Sequence, residues 1–381
     1  MVDAEEIAQL RDSTRRLTNE RFRAKAAHWD RTCEAPVENL KLLAEAGLAG
    51  ITVPEIFGGS GGSVVHAVAA VEEVARGCTA TAAFLLANCA ACEVLTSIGS
   101  PEMQQRYLPG IAAGDYVMAW AMSEAGAGSA ATELHTKAER DGKDGWLLTG
   151  TKQFITRAGI ARHFIVFARV GDVPGAKGIT AFVVSADNPG LSLGARDIHM
   201  GLRGGASAEV VLERCRVADA DMLMEPGSFG RLMAGLNQAR VLNPAMCLGL
   251  SEEALDLTTK HLQTRRQFGK ALAEFQGLQW MLAEMAIKTD AMRLLIYRAA
   301  RGLAASDGDA PHHAAIAKAY SGEAAFEVLD AAMQLHGGYG YSSELPLERM
   351  LRDVRAFKIG GGATQIMKNR IADGMFKRNP A

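Results

Sequence analysis

The sequence predicts an α+β protein, mostly helical, in three successive blocks. These are an N-terminal α-helical domain over 1–118, a small middle β domain over 119–226 and a C-terminal four-helix bundle over 227–381. Three observations carry this. The first block repeats its apolar residues at helical spacing, short β-rich runs replace that pattern after Tyr116, and a long stripe at alternating three- and four-residue steps returns beyond Gly230.

With 381 residues, the chain is too long for one small domain. Apolar residues make up 48% and charged residues 22%, enough to bury a large core. Lys plus Arg is 41, Asp plus Glu is 43, and the net charge of -2 gives no electrostatic case for nucleic acid or an anionic membrane. No apolar run reaches the roughly 18 residues of a membrane span. The acidic start carries neither a signal-peptide core nor a basic transit peptide, so a reducing cytoplasm is the expected compartment. Cys89 and Cys92 have CxxC spacing but sit in a helix-like run with no second Cys or His pair nearby. Buried thiols are expected there rather than a metal site.

Asp3 and Glu6 have capping-box spacing, and Ile7, Leu10, Thr14 and Leu17 follow at helical steps. Asn39–Ala49 reads as a second helix, and Val53–Gly62 as a glycine-rich turn. Helical patterns resume over Val64–Gly99 and Pro101–Gly114. The β-rich runs are Val117–Met122, Gly145–Gly150, His163–Val170, Gly178–Val184 and Ala208–Val217, expected to form an antiparallel sheet or barrel. In the last block Leu278, Leu282, Met285, Thr289, Met292, Ile296, Ala299 and Leu303 form a bundle seam. A polar break at 306–311 precedes a further helix that stops at Gly337 and Gly338.

Five segments, in order, resemble the acyl-CoA dehydrogenase family of flavoproteins. They are Ala121-Met-Ser-Glu-Ala-Gly-Ala-Gly-Ser-Ala130, Gly150-Thr-Lys-Gln-Phe-Ile-Thr156, Arg265-Arg-Gln-Phe-Gly269 with Phe275-Gln276, Gln334-Leu-His-Gly-Gly-Tyr-Gly-Tyr341, and Arg352-Asp353 through Ile359-Gly-Gly-Gly-Ala-Thr-Gln-Ile366. Each alone is weak, and the first is not a Rossmann fingerprint, because the glycine spacing differs and no βαβ unit follows. Small residues at Gly126, Gly128 and Ser129 suit close backbone approach to a ligand, and Arg265 could grip a pyrophosphate through two donors at once.

The resemblance implies FAD as cofactor. The flavin end would be held by Trp120, Met122, Ser123, Gly128, Ser129, Phe154, Ile155 and Thr156. The adenosine-diphosphate half of a neighbouring subunit's FAD would be reached by Arg265, Gln267, Phe268, Phe275 and Gln276. Gln334, Leu335, Gly337 and Gly338 would join them, and Ala363, Thr364 and Gln365 complete the set. A homo-oligomer follows, in the family's usual tetramer. The implied acyl-CoA contacts are Ser129, Asn237, Arg240 and Gly362, although for Arg240 a structural role is preferred to pairing with a carboxylate on the acyl chain. Thr79–Ala91 would line the acyl pocket, small and apolar, and electrons would pass to an electron-transferring flavoprotein.

The family reaction is α,β-dehydrogenation of an acyl-CoA thioester. A carboxylate removes the α-proton, the β-hydrogen leaves as hydride, and donors at the thioester carbonyl stabilise enolate character. The resemblance places the usual glutamate at Gly361, whose backbone N–H remains as a carbonyl clamp. A minority of the family carries the base just before an arginine on a C-terminal-domain helix, and that position is Ala239. Both base positions are therefore empty. Asn237 and Gln238 are neutral amides, Glu124 lies in the flavin loop, and His336 lies in the cofactor segment.

Three explanations stand side by side. The reading adopted is a dehydrogenase whose active form carries glutamate at 239, this chain being a Glu→Ala inactivated variant. The alternatives are base-free flavin-site chemistry on acyl-CoA, as a lyase or reductase, and a non-catalytic FAD- and acyl-CoA-binding subunit. A desulfinase branch of the family is similar at Gly128-Ser129-Ala130-Ala131 and at Glu274–Trp280. That branch is expected to hold its sulfinate with an arginine in the N-terminal helices, and Gly77 to Gln105 contains no Lys or Arg.

Overall fold

Short polar caps start the early helices. Ser63 accepts from the Val65 N–H at 3.3 Å while His66 Nδ1 accepts from the Ser63 N–H at 3.0 Å, a capping box with histidine in the return position. Ser100 accepts from the Met103 N–H ahead of Pro101 in the first turn. In the computed structural model, which describes residues 4–378, the N-terminal helices are α1 (Ala4–Leu17), α2 (Arg23–Thr32), α3 (Glu38–Glu45), α4 (Val64–Ala75), α5 (Thr79–Ile98) and α6 (Pro101–Ala112). The Asp3 cap lies outside the described residues. One π turn, Thr18–Phe22, joins α1 to α2. The reading of Asn39–Ala49 as one helix is corrected: α3 ends at Glu45 and Gly47 turns the chain at φ +71°.

The middle strands are β1 (Met118–Ala121), β2 (Lys137–Arg140), β3 (Gly145–Ile155), β4 (His163–Val170), β5 (Ile179–Ser185), β6 (Leu191–Arg196) and β7 (Ala208–Ala218). They form one sheet in the order β1-β4-β2-β3-β7-β6, with β5 also paired to β4. The sheet is mixed, which corrects the antiparallel expectation. β4 runs parallel to both β1 and β2, while β3–β7, β4–β5, β2–β3 and β6–β7 are antiparallel. The parallel pairs join strands that are not neighbours in sequence, a pairing that run lengths and turn residues do not encode. β2 and β6 escaped sequence reading because both are mostly exposed, with burial on one face only at Ala138 and none in β6.

The C-terminal part holds α7 (Phe229–Leu232), α8 (Ala234–Thr264), the hairpin β8 (Arg266–Gln267) and β9 (Lys270–Ala271), α9 (Gln276–Ala304), α10 (Ala310–His336), α11 (Gly338–Tyr341), α12 (Leu347–Arg355) and α13 (Thr364–Arg378). The seam on α9 buries Met285, Thr289, Met292, Ile296 and Ala299 against α8 and α10, as its spacing predicts. One core cluster runs from Phe22 and Trp29 through α4 and α5 into α8, α9, α10 and α12. The helical blocks thus share a core, and the sheet sits on its flank with a cluster of its own.

α5 is long and apolar enough to cross a membrane by length and composition, with mean hydropathy 1.5 over its apolar window, contrary to the sequence reading. Within the fold 67% of that window is buried, against α4 and α8. The cysteines are free, and burial pushes the thiols of Cys89 and Cys92 up to about 12. Glu72, Glu73 and Glu252 lie close enough together to suit a cation. However, Arg11, Arg15 and Arg293 already neutralise Glu72 and Glu73 at 2.7–3.0 Å, and Arg293 and Arg76 pair with Glu252, so the cluster ties α1, α4, α8 and α9 together.

Candidate functional site

The loop after β1 is shaped by its own backbone. Glu124 and Ala127 exchange N–H···O bonds at 3.2 and 3.1 Å, which pushes Ala125 and Gly126 out to solvent. The Glu124 carboxylate accepts from Lys152 Nζ at 2.7 Å, the His135 and Thr136 N–H groups at 2.6 and 2.9 Å, and Thr136 Oγ1 at 2.6 Å. Burial alone would raise its pKa, but the Lys152 ammonium and these donors hold it below the ordinary carboxylate value. Lys152 is fully buried, and desolvation pushes it down to about 8 against the pull of Glu124. Four hydrogen bonds, one of them from the Lys152 ammonium, tie Glu124 into the loop and make it a poor base. Gln153 N–H donates to the Ser123 carbonyl at 2.9 Å, fixing the loop to β3.

β3 ends in an unusual conformation. Phe154 has φ +57° and is 63% exposed, a costly arrangement for an aromatic residue that belongs in a core. Its ring has an open face, with His199 the nearest aromatic at 6.4 Å. Ile155 beside it is buried in the sheet core, so only its backbone is available to a ligand. Trp120 packs 4.9 Å from Phe167 and leaves its buried indole N–H without a partner. Side chains at Gly126 or Gly128 would meet nothing within 4 Å, and Gly128 and Ser129 are exposed.

The first turns of α8 carry Asn237, Ala239 and Arg240. The Ala239 methyl is buried, and Arg240 is 4% exposed with one donor to Asn237 Oδ1 at 2.8 Å and its Nε unpaired. Gln238 Oε1 is buried without a partner. Opposite lies the glycine loop before α13, where Gly361 and Gly362 have φ +71° and +111°. Any Cβ on Gly361 would stand 2.5 Å from Asn243 Nδ2, and one on Gly362 would stand 2.7 Å from Met367 Cε. Lys318 of α10 donates its ammonium to the Phe357 carbonyl behind this loop, and burial pushes it down to about 8, with Cys247 opposing and Arg240 adding. Thr364 is buried at the start of α13, Gln365 is exposed and Ala363 is half-buried.

The other predicted cofactor residues gather at the far end of α8. Arg265, Gln267, Phe268, Gln276, Gln334, Gly337 and Gly338 are all exposed. Phe268, at the hairpin tip, has φ +52° and is 91% exposed, with Phe275 at 6.2 Å. Arg265 lies 5.8 Å from the Tyr339 ring, and His261 stacks on His336 at 4.2 Å, which locks the hairpin to the end of α10. Leu335 turns its side chain into the core. α8 holds Ala239 and Thr264 about 38 Å apart at roughly 1.5 Å per residue. Within one subunit the two groups therefore cannot close around the same reacting atoms.

These features fit a flavin dinucleotide. A strained, exposed aromatic flanks a small-residue loop, an orphaned indole donor lies beside them, and a separate arginine–glutamine patch is open to an anionic half. Two residues that the sequence reading passed over stand in this region. Asn243 is one helical turn after Ala239, on the same face, a spacing readable in the sequence. Arg157 follows Thr156 at φ +70° and is 8% exposed, and only its place beside the second motif could have pointed to it.

Comparison with known proteins agrees along the whole chain. The family descriptions "Acyl-CoA dehydrogenase, N-terminal domain", "middle domain" and "C-terminal domain" match residues 4–115, 119–215 and 229–376. An acryloyl-CoA reductase (NADH) of Anaerotignum propionicum is 37% identical over 98% of this chain and 95% of its own. A 3-sulfinopropanoyl-CoA desulfinase of Paraburkholderia xenovorans is 38% identical over 96% of this chain and 94% of its own. Butyryl-CoA dehydrogenase from Megasphaera elsdenii superposes with a TM-score of 0.95 at 29% identity, covering 99% of both chains. A glutaryl-CoA dehydrogenase in complex with glutaryl-CoA superposes with a TM-score of 0.93 at 31% identity, covering 99% of this chain and 96% of that one. The chain belongs to the acyl-CoA dehydrogenase family of FAD-dependent oxidoreductases.

Proposed function

We propose that this protein binds FAD and an acyl-CoA thioester, and that it lacks the carboxylate used for α-proton removal. The observation that carries this is the frame of Ala239, Asn243 and Gly361. A methyl occupies one base position, and the space a side chain would need at the other is filled by a carboxamide. FAD, when bound, supplies the hydride acceptor of the family's reaction. This chain's own part is to hold and orient. The Ser123–Ser129 loop is braced by Glu124 and Lys152, and Phe154 offers a flat apolar face. Gly361 carries no side chain of its own, and its N–H is the donor assigned to the thioester carbonyl.

The acyl group is assigned to the face of α5 that carries Ala83, Leu86 and Ala90. Ala80, Ala83 and Leu86 are half-buried at three-residue steps, and the buried Ala90 and half-buried Glu93 continue the stripe at steps of four and three. α8 comes close enough there that a Cβ on Gly235 would touch the Ala90 carbonyl at 3.3 Å and Trp120 at 3.6 Å. α,β-Dehydrogenation is the reaction this frame would run with glutamate at 239. A positioned base contributes about 10²–10⁴-fold, so its loss leaves binding with little turnover. Base-free chemistry on an acyl thioester is the second reading, favoured by the 38% identity to a desulfinase. The homo-oligomer, with the Arg265 patch completing a neighbour's FAD site, and an electron-transferring flavoprotein as acceptor belong to the same proposal.

Anaerobic titration of the yellow holoprotein with saturated acyl-CoAs tests it. Shifts of the flavin absorbance without bleaching are expected. Full bleaching by a saturated thioester would show that a base exists after all.

A further inference from the structure

Cations buried in this fold differ in how they are matched: Arg240 and Lys318 make hydrogen bonds to neutral oxygens, while others face carboxylates. Lys152 has Glu124, and Arg352, near α12's C-terminus, has Asp30 and Glu348. Arg157 has no such match. Its side chain leaves the end of β3, where its own N–H donates to the Gly205 carbonyl at 2.7 Å, and runs to α5. There one terminal nitrogen donates to the Ala83 carbonyl at 3.3 Å, while Nε is buried with no partner. Burial pushes the guanidinium down to about 10, so it stays charged at neutral pH, and no carboxylate is near enough to offset that. An uncompensated buried charge is costly, and an anionic ligand reaching the unpaired Nε would offset that cost.

The place of Arg157 says which ligand. The Ala83 carbonyl belongs to the half-buried stripe of α5 that carries Ala83 and Leu86. α5 brings no cation of its own to that stripe, since Gly77 to Gln105 holds no Lys or Arg. β3 delivers one from outside the helix. Arg240 is the other buried arginine of the site, and it turns along α8 to Asn237 rather than toward α5.

We propose that the Arg157 guanidinium is the anion-binding group of the acyl pocket, and that the preferred thioester carries a carboxylate or sulfinate on its acyl chain. This rests on the assignment of the α5 stripe to the acyl group. The planar guanidinium offers Nε and a terminal nitrogen to two oxygens at once, a geometry both oxyanions accept.

The test is binding to the FAD-loaded protein, read as the flavin absorbance shift. Succinyl-CoA, glutaryl-CoA and 3-sulfinopropanoyl-CoA are compared with butyryl-CoA and pentanoyl-CoA. One or more of the anionic thioesters is expected to bind roughly tenfold to a hundredfold more tightly than its neutral counterpart, the span of one hydrogen bond to a charged group. The carboxylate and sulfinate arms show which oxyanion is preferred. Arg157→Gln should erase the preference while leaving neutral thioesters and the ligand-free melting temperature unchanged or improved. Arg157→Lys should keep part of it. Equal affinity for anionic and neutral thioesters overturns this assignment alone. So does an Arg157→Gln protein that weakens all thioesters equally, or a preference that follows Arg240→Gln instead. Absence of binding by every thioester overturns the acyl-CoA reading together with it.

Discussion

The Asn243 carboxamide occupies the space that a side chain on Gly361 would need, with Nδ2 2.5 Å from the Cβ position. Gly361 is also held at φ +71°, where a side chain costs roughly 1–3 kcal/mol. The glycine is thus matched to its neighbour across the site. Gly361→Glu alone is expected to lower the melting temperature and to leave the flavin unreduced by saturated acyl-CoAs. Adding Asn243→Ala should recover part of the lost stability. A Gly361→Glu protein as stable as the parent would show that Asn243 yields freely and that the match is incidental.

Phe268 stands 91% exposed at a hairpin tip about 38 Å of helix away from Ala239, at roughly 1.5 Å per residue, which suits a residue that works on another subunit. Phe268→Asp should weaken FAD binding roughly tenfold to a hundredfold, the worth of burying one such ring. Far-UV circular dichroism should not change, while the mass in solution should fall. Unaltered FAD affinity and mass would remove the hairpin from the cofactor site.

Arg352 grips Asp30 through both terminal nitrogens at 2.9 and 2.6 Å and Glu348 at 2.7 Å, tying α12 to α2. The group is 16% exposed and its partner 11%. Arg352→Met strands both carboxylates and should cost roughly 3 kcal/mol in urea unfolding. A loss under about 0.5 kcal/mol would mean that the pair behaves as a surface bridge.

Burial alone would raise the Glu73 pKa, but hydrogen bonds from Arg15 and Arg11 outweigh it and hold the carboxyl below its ordinary 4.5. A depressed folded pKa gives stabilisation that is complete above the unfolded value and is lost as pH falls through the folded one. The urea midpoint should therefore start to drop as pH falls to the ordinary carboxylate value and go on dropping below it. In Glu73→Gln the midpoint should start lower at neutral pH and fall less steeply over the same fall in pH. An unchanged slope would assign the acid sensitivity to other carboxylates.

Much of this fold was legible because its signals are local. The α9 seam, the stop at Gly337 and the strand His163–Val170 follow from spacing and turn residues alone. The parallel pairing of β4 with β1 and β2 was not, because it joins strands distant in sequence. The candidate site divides in the same way. The emptiness of positions 239 and 361 could be read from motifs. That Asn243 fills the space at Gly361, and that Arg157 crosses from β3 to α5, are facts of packing between elements far apart in the chain. Leu335 shows the converse: a motif residue whose side chain faces the core.

The most direct measurement is anaerobic flavin reduction by a panel of saturated acyl-CoAs, run side by side on this protein and on Ala239→Glu. Bleaching only in the glutamate variant is the predicted result, and it would make position 239 the base of an otherwise intact dehydrogenase site. Bleaching in the protein as it stands would contradict the account. Bleaching in neither would show that α-proton removal is not the chemistry this site performs.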